Sequence, residues 1–488
     1  MNFNPADLGW MTPYLILAIA GMLLVLAEAF YKGKDRTALV SVAVAGSIAS
    51  AIASIILYRQ LGDTETRPLL GDMLIADKTG YVLSALFALT TGVAALTTPA
   101  HQKEHEWVIG EYYGVMLLAA SGMVMLAHAA NLVTIFLGIE TMSIGVYVMT
   151  AMRRRSRRGN EAAMKYFLIG AFATGFLMYG MALLYGAAGT TSLLKMQTML
   201  AQTQNPGLVI AGAFLLVVAF GFKVAAVPFH MWAPDAYEGA PTPVTGFMAA
   251  AVKSAAIAAM IRLFGTALGG DVLPFGTVGW ASPLVVIAAL TITIGNISAV
   301  RQDNIKRMLA YSSISHAGVL LVGLAALGLG SKSAEGSIVY YLIAYSVATM
   351  GAFAVVSYVG SRGKERLLVD DWAGLGSQHG GAALAMTICL LSFGGMPPTG
   401  GFFAKFYLFK AAMEVSDGQL LWLVIVGVVN SAISIYYYLR IVTAMYFRDS
   451  SQAIVPTRSA GLIFVIAICP ILVLELGLMP GWWLKLVG

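Results

Sequence analysis

Lys223, Lys253 and Lys405 each stand inside a long apolar stretch, and Glu140 stands inside another. An ionisable side chain at membrane depth costs about 2.5 kcal/mol or more. Such groups persist where they pair with one another or face a wet path, so their recurrence in one chain points to movement of protons or other ions. Lys223 lies in the run 220–230, shortly before Pro228. A lysine that alternately gains and loses a carboxylate neighbour can switch between protonated and neutral forms. Glu140, midway along the fifth apolar segment, is the nearest candidate neighbour. A static buried pair that fixes packing is the competing reading, and the recurrence of intramembrane charges weighs against it.

Lys253 is central in the small, apolar run 248–263, and Lys405 follows Gly401-Phe402-Phe403-Ala404. His316 lies in mid-segment behind Tyr311-Ser312-Ser313-Ile314-Ser315. Histidine titrates near neutrality and can shuttle protons, although a satisfied packing histidine explains it equally well. These groups could together line a hydrated path across the membrane midplane. Lys165, downstream of Arg153–Arg158, either modulates Glu140 or snorkels to the inner surface. His230, Asp235 and Glu238 surround the segment 232–241, expected to be a short loop. They could form a proton inlet, but capping and turn formation is the preferred reading. Arg153–Arg158 reads as a topology signal compatible with anionic lipid. Glu28, Glu475, Arg440 and His128 lie near segment ends and receive no role.

The surrounding elements must be membrane helices. Of 488 residues 59% are hydrophobic and 11% charged, against roughly 25% charged in soluble domains. A helix needs about 20 apolar residues to cross the hydrocarbon. Such windows fall near 11–31, 37–58, 78–98, 112–128, 130–151, 162–186, 208–231, 241–265, 281–300, 304–329, 335–360, 378–415, 419–446 and 459–484. The expected fold is all-α and polytopic, with about fourteen transmembrane helices. Asp7 rather than a basic cluster precedes the first segment, which reads as a retained helix and not a signal peptide. The window at 378–415 is too long for one straight crossing and is interrupted by 394–400, so it reads as a discontinuous helix.

Every second loop is basic: Lys32, Lys34 and Arg36; Lys103; Arg153–Arg155 with Arg157 and Arg158; Arg301, Lys306 and Arg307; Arg362, Lys364 and Arg366; Arg448 and Arg458. The other loops carry scattered cations such as Arg67, Lys195 and Lys332. By the positive-inside rule both termini are expected on the outer side. This orientation accounts for the net charge of +6, and nothing calls for a nucleic-acid partner. Helices four to eight and nine to thirteen read as related halves. Five crossings per half make successive copies inverted. The expected division is 1–110 for three flanking helices, 111–270 and 271–448 for the two repeats, and 449–488 for the fourteenth helix. In each half the fourth helix is broken by proline near a lysine: Lys223 with Pro228, and Lys405 with Pro397 and Pro398. Carbonyls freed by proline need water or side chains, which a wet cavity beside the lysine would supply. Cys389 and Cys469 are isolated and are assigned neither a disulfide nor a metal. No GxGxxG or Walker pattern occurs, so no nucleotide is expected in this chain.

The stretch 222–244, running from Phe222-Lys223-Val224 through Trp232-Ala233-Pro234-Asp235 to Pro241-Thr242-Pro243-Val244, resembles the signature of the antiporter-like subunits of respiratory complex I. That family is related to the large subunits of Mrp-type sodium/proton antiporters. The stretches 161–172, 295–302 with 310–318, and 397–406 extend the resemblance over both halves. It implies fourteen helices, two inverted five-helix repeats and broken helices seven and twelve. It further implies that Glu140 and Lys223 match the family's coupled pair, Lys253 its central relay, His316 its polar tenth-helix position and Lys405 its exit-side residue. Lys405 stands where some sister subunits carry glutamate, and little sequence after helix fourteen implies no long lateral helix.

The function implied is a proton-translocating subunit of an NADH–quinone oxidoreductase, without redox chemistry or cofactor of its own. FMN, iron–sulfur clusters and quinone would belong to other parts of the complex. The implied partners are other membrane-arm subunits and the lipid of a bacterial inner membrane. Two rival readings remain: a subunit of a cation/proton antiporter with no link to NADH, and a structural membrane spacer whose buried charges only fix packing.

Overall fold

The computed structural model describes residues 4–31, 33, 36–269, 272, 280–360, 365–415, 418–449 and 453–487. Lys32, Lys34, Arg362 and Lys364, counted above among the inner cations, lie outside the described residues, as does the repeat boundary at 270–271. In hydrocarbon an apolar segment satisfies its own backbone only as a helix, and the apolar windows are each helical over most of their length. They are α1 (Thr12–Phe30), α2 (Thr37–Gln60), α3 (Lys78–Glu104), α4 (Glu111–Ala127), α5 (Leu132–Ala151), α6 (Arg157–Ala188), α7 (Pro206–Val224) and α8 (Trp232–Gly239). The chain continues through α9 (Thr242–Ala267), α10 (Ala281–Val300), α11 (Ile305–Gly328), α12 (Ala334–Val359), α13 (Gly380–Gly394), α14 (Gly400–Met413), α15 (Leu421–Phe447) and α16 (Ala460–Leu478). Twelve of these are long and apolar enough to cross alone. The shorter apolar α4 and α13 complete the fourteen expected crossings, with α8 and α14 as second halves of the broken seventh and twelfth.

The two breaks share one backbone design. At the end of α7 the Ala226 N–H donates to the Gly221 carbonyl (2.8 Å) and the Ala225 N–H to that of Phe222 (3.2 Å). At the end of α13 the Met396 N–H donates to Leu391 (3.0 Å) and the Gly395 N–H to Ser392 (3.0 Å). This is the Schellman closure, with a left-handed residue just past the helix: Ala225 at φ 58° and Gly395 at φ 77°. A cis X–Pro bond follows in each, Val227–Pro228 and Pro397–Pro398. One expectation needs correction. The segment 232–241 is not a loop over most of its length, because Trp232–Gly239 is helical. Its turn-like composition misleads, since Pro234 and Asp235 occupy the first turn, where backbone N–H groups lack partners and acidic side chains suit the helix dipole.

Two of the helices that carry candidate groups, α9 with Lys253 and α11 with His316, are among the innermost. α9, α11 and α12 are buried on nearly every side, whereas α1, α2 and α6 turn side chains such as Leu23, Ile52 and Phe172 outward. α9 is not uniform: Met248–Val252 is a π turn immediately before Lys253, and Leu263–Ala267 is another. Such turns insert a residue and free backbone groups, often at functional sites. Between α2 and α3 a small antiparallel hairpin pairs β1 (Arg67–Leu69) with β2 (Leu74–Ala76). It is tied to the end of α4 by the Ile75 N–H on the His128 carbonyl (2.8 Å).

Candidate functional site

Residues three and four apart share a helix face, so α5 presents Glu140, Ser143 and Tyr147 together. Lys223, half-buried at the last turn of α7, donates from Nζ to Ser143 Oγ (2.9 Å) and to the Tyr147 hydroxyl (3.4 Å). The Glu140 carboxylate instead accepts from Thr174 Oγ1 of α6 at 2.7 Å. Among the described residues Glu140 and Lys223 make no ion pair within 4.0 Å. Acid and base therefore stand on one face but apart, each satisfied by neutral hydroxyls. The seat of Tyr147 depends on Gly170, where a Cβ would fall 1.8 Å from the tyrosine hydroxyl.

Lys253, only 4% exposed, donates to the Ser313 carbonyl of α11 (2.5 Å) and to that residue's hydroxyl. The same hydroxyl accepts from Tyr345 of α12 (2.8 Å) and lies 3.4 Å from the Tyr237 hydroxyl of α8. One turn along α11, His316 bonds through Nδ1 to the Tyr341 hydroxyl (2.5 Å) and lies 3.4 Å through Nε2 from that of Tyr438. Lys405, also buried, reaches back from α14 to the freed carbonyls of Phe393 (3.0 Å) and Gly394 (3.3 Å). The lysine thus satisfies the break that proline creates, as the mirror arrangement of Trp232 does on α7: its indole N–H donates to the Phe222 carbonyl at 3.1 Å.

Two small cavities, each with room for about one water, adjoin these groups. One is walled by Lys223, Lys253, Tyr166, Trp232, Tyr237 and Val252. The other is walled by His316, Lys405, Asn296, Ser315, Ser434 and Tyr437, among others. Contacts therefore run in a line from Lys223 to Lys253 across the first cavity, from Lys253 to Ser313, one turn from His316 on α11, and from His316 to Lys405 across the second. No lysine of this line has a carboxylate within 4.0 Å among the described residues.

Lys165 is not at Glu140. It pairs with Glu161 (2.6 Å) and Asp235 (2.8 Å). Asp235 and Glu238 are in turn held by Arg307 at 2.8 and 2.9 Å. His230 sits half-buried in the break between α7 and α8.

A second cluster, where α3 ends and α11 begins, was not singled out from sequence. Lys306, counted there only as a loop cation, is fully buried and donates to the Ala240 carbonyl (2.7 Å), with Glu365 at 3.4 Å. Glu365 also accepts from His101 Nε2 (3.0 Å) and Thr242 Oγ1 (2.9 Å). Burial alone would raise the Glu365 carboxyl, but the Lys306 ammonium and the His101 N–H hold it well below the usual carboxylate range. Its only sequence signal is an acid among the cations of a basic loop. His101, His105 and Glu365 offer ligand atoms within 4.8 Å of one another, yet they fit a metal poorly. The Trp107 N–H donates to His101 Nδ1 (3.1 Å), so Nε2 carries the hydrogen given to Glu365, and Lys306 stands beside the carboxylate.

The profile of the transmembrane family described as NADH:quinone oxidoreductase/Mrp antiporter matches residues 129–434. A subunit N of NADH-quinone oxidoreductase from Trichlorobacter lovleyi is 42% identical over 92% of this chain and 90% of its own. A protein of the same name from Sorangium cellulosum (subunit N 1) is also 42% identical, over 96% and 95%. A chain of respiratory complex I from Thermus thermophilus superposes with a TM-score of 0.79 at 31% identity, covering 98% of this chain and all of that one. The Mrp complex from Dietzia shares the fold, with a TM-score of 0.84 at 21% identity over 99% of this chain and 96% of that one.

Proposed function

The chain belongs to the NADH:quinone oxidoreductase/Mrp antiporter family and, within it, groups with the subunit N proteins; from that premise we propose how it works. It is a membrane-arm subunit of an NADH–quinone oxidoreductase, and it translocates protons while electron transfer takes place in other subunits. FMN and iron–sulfur clusters are carried elsewhere in that complex. In our reading both termini face the outer side of a bacterial inner membrane, with Arg153, Lys306 and Arg307 at inner helix ends. We divide the chain into flanking helices 1–110, repeats 111–270 and 271–448, and a final helix 449–488.

The observation that carries the mechanism is the line of lysines joined by cavities and hydroxyls. A buried ammonium without a carboxylate partner is costly. It lowers that cost by losing its proton or by gaining an anion. Approach of Glu140 to Lys223 along the shared face of α5 would hold a proton there, and retreat to Thr174 would release it. The proton then has the one-water cavity toward Lys253, the Ser313 joint toward His316, and the second cavity toward Lys405.

The test is NADH-driven proton uptake into inverted vesicles bearing Lys223→Ala, beside the NADH–quinone rate, once assembly of the variant complex is verified. Pumping should fall, and by more than turnover, so that fewer protons move per NADH oxidised. Unchanged stoichiometry in assembled complex would make Lys223 a packing residue. The Mrp-type reading shares the fold at lower identity. It predicts instead that loss of the chain impairs sodium tolerance and leaves NADH–quinone turnover intact.

A further inference from the structure

We propose that the stacked rings of Tyr166 and Trp232 form a water barrier between an inner-facing charged vestibule and Lys223, opened by displacement of α8. This deepens the reading of Lys223 as a proton carrier and rests on it. The vestibule is a cavity of about 220 Å³ lined by Arg158, Glu161, Ala162, Asp235, Glu238 and Gly239. Its walls are the first turns of α6 and the length of α8. Tyr166 stands one turn above Ala162 on α6, and Trp232 one turn from Asp235 on α8. Their rings stack at 4.6 Å between centroids and 17° between planes.

On the other side of that stack, the same two rings line the cavity between Lys223 and Lys253 and a further small cavity walled by Met142, Tyr147, Ala173 and Lys223. Tyr147, which holds the Lys223 ammonium, packs edge-on against Tyr166 at 4.7 Å. Charged groups that order water and a lysine that needs water are thus separated by one aromatic layer. The layer is tied to the break, because the Trp232 N–H caps the Phe222 carbonyl beside Lys223. At its other end α8 is latched by Lys165 and Arg307 on Asp235, and by Arg307 on Glu238. One short helix therefore carries both the plug and its latch, and a shift that unstacks Trp232 also loosens the cap on the lysine's own turn.

The experiment reads water access directly and does not depend on pumping. A cysteine is placed in the cavity above the stack, as Ala173→Cys and separately as Met142→Cys. Inverted vesicles containing assembled complex are treated from the inner face with a small, charged, membrane-impermeant thiol reagent. Buried Cys389 and Cys469 supply the unreactive background. With Trp232 intact both probes should react slowly. Trp232→Ala should raise their rate about tenfold or more, since labelling of a buried group follows the population of open states. Trp232→Phe, which keeps a ring without the N–H, should stay within a few-fold of the parent.

Equal rates in Trp232 and Trp232→Ala complexes overturn the proposal, whether both are unreactive or both already fast. If labelling responds as expected but Lys223→Ala leaves pumping stoichiometry intact, the barrier stands and the proton-carrier reading fails. The two failures are thereby told apart.

Discussion

At the scale of single residues, the lysines set among apolar helices divide into two kinds. Among the described residues, Lys223, Lys253 and Lys405 are hydrogen-bonded by hydroxyls and carbonyls and by no carboxylate, which suits groups that change charge. Lys306 has a fixed carboxylate, a carbonyl and no exposure, which suits a group that does not. Glu365→Gln should therefore act on stability more than on proton transfer. Removing one partner of a buried pair costs about 3–5 kcal/mol, so the variant complex should melt several degrees lower at pH 7. The pH dependence has a definite sign. Lys306 and His101 lower the folded-state pKa of Glu365 and so favour its charged form; its contribution is complete above the ordinary carboxylate range and lost on acidification through the lower folded-state value. The difference in melting temperature between parent and Glu365→Gln should stay constant from about pH 7 to 5. A difference that shrinks over that window would mean the carboxylate is not held by the pair.

At the scale of elements, the two broken helices show what the sequence carried and what it concealed. Pro228 and Pro397-Pro398 announced the breaks, and 378–415 was visibly too long for one crossing. The lysine order could not announce how each break is capped. Lys405 caps its own carbonyls across the gap, while Trp232 does this for α7 and leaves Lys223 free to face α5. Glu140, Lys223, Lys253 and Lys405 stood out because charge in apolar text is rare. Ser313, Tyr345 and Asn296 did not, because hydroxyls and amides are common in membrane helices and only tertiary packing decides which ones meet a lysine. The π turn before Lys253 was equally silent, as its composition is that of any small-residue helix.

The breaks also make contrasting predictions for two left-handed residues. A Cβ in that conformation costs roughly 1–2 kcal/mol. Gly395→Ala should destabilise by about that much, and its new carbon would meet the Lys405 side chain at 3.0 Å. Ala225→Gly should be neutral or stabilising by up to about 1 kcal/mol, because relief of strain outweighs added chain entropy. Melting of purified complex compares the two. Equal losses would mean the αL caps do not govern the breaks. Gly401→Ala is harsher still. Its Cβ would fall 1.8 Å from the Ser392 carbonyl, so α13 and α14 could not close, and assembled complex should be scarce.

At the scale of the whole molecule, the proposed path draws its groups from α7, α9, α11 and α14, and so from both of the proposed halves. A path in series has a property that a set of independent buried charges lacks. Once one joint is broken, breaking a second removes nothing further, whereas independent packing residues lower stability additively when they lie well apart. Lys223 and Lys405 are separated by two cavities, Lys253, the Ser313 joint and His316, far enough for their packing effects to be independent. The prediction is that Lys223→Ala and Lys405→Ala each reduce protons pumped per NADH, and that the double variant pumps no less than the weaker single. Melting temperature should meanwhile fall by the sum of the single effects. The measurement is stoichiometry and melting on the same four preparations: parent, two singles and double. Additive losses in pumping would mean two parallel paths, one for each half, and would dissolve the line from Lys223 to Lys405 into separate sites.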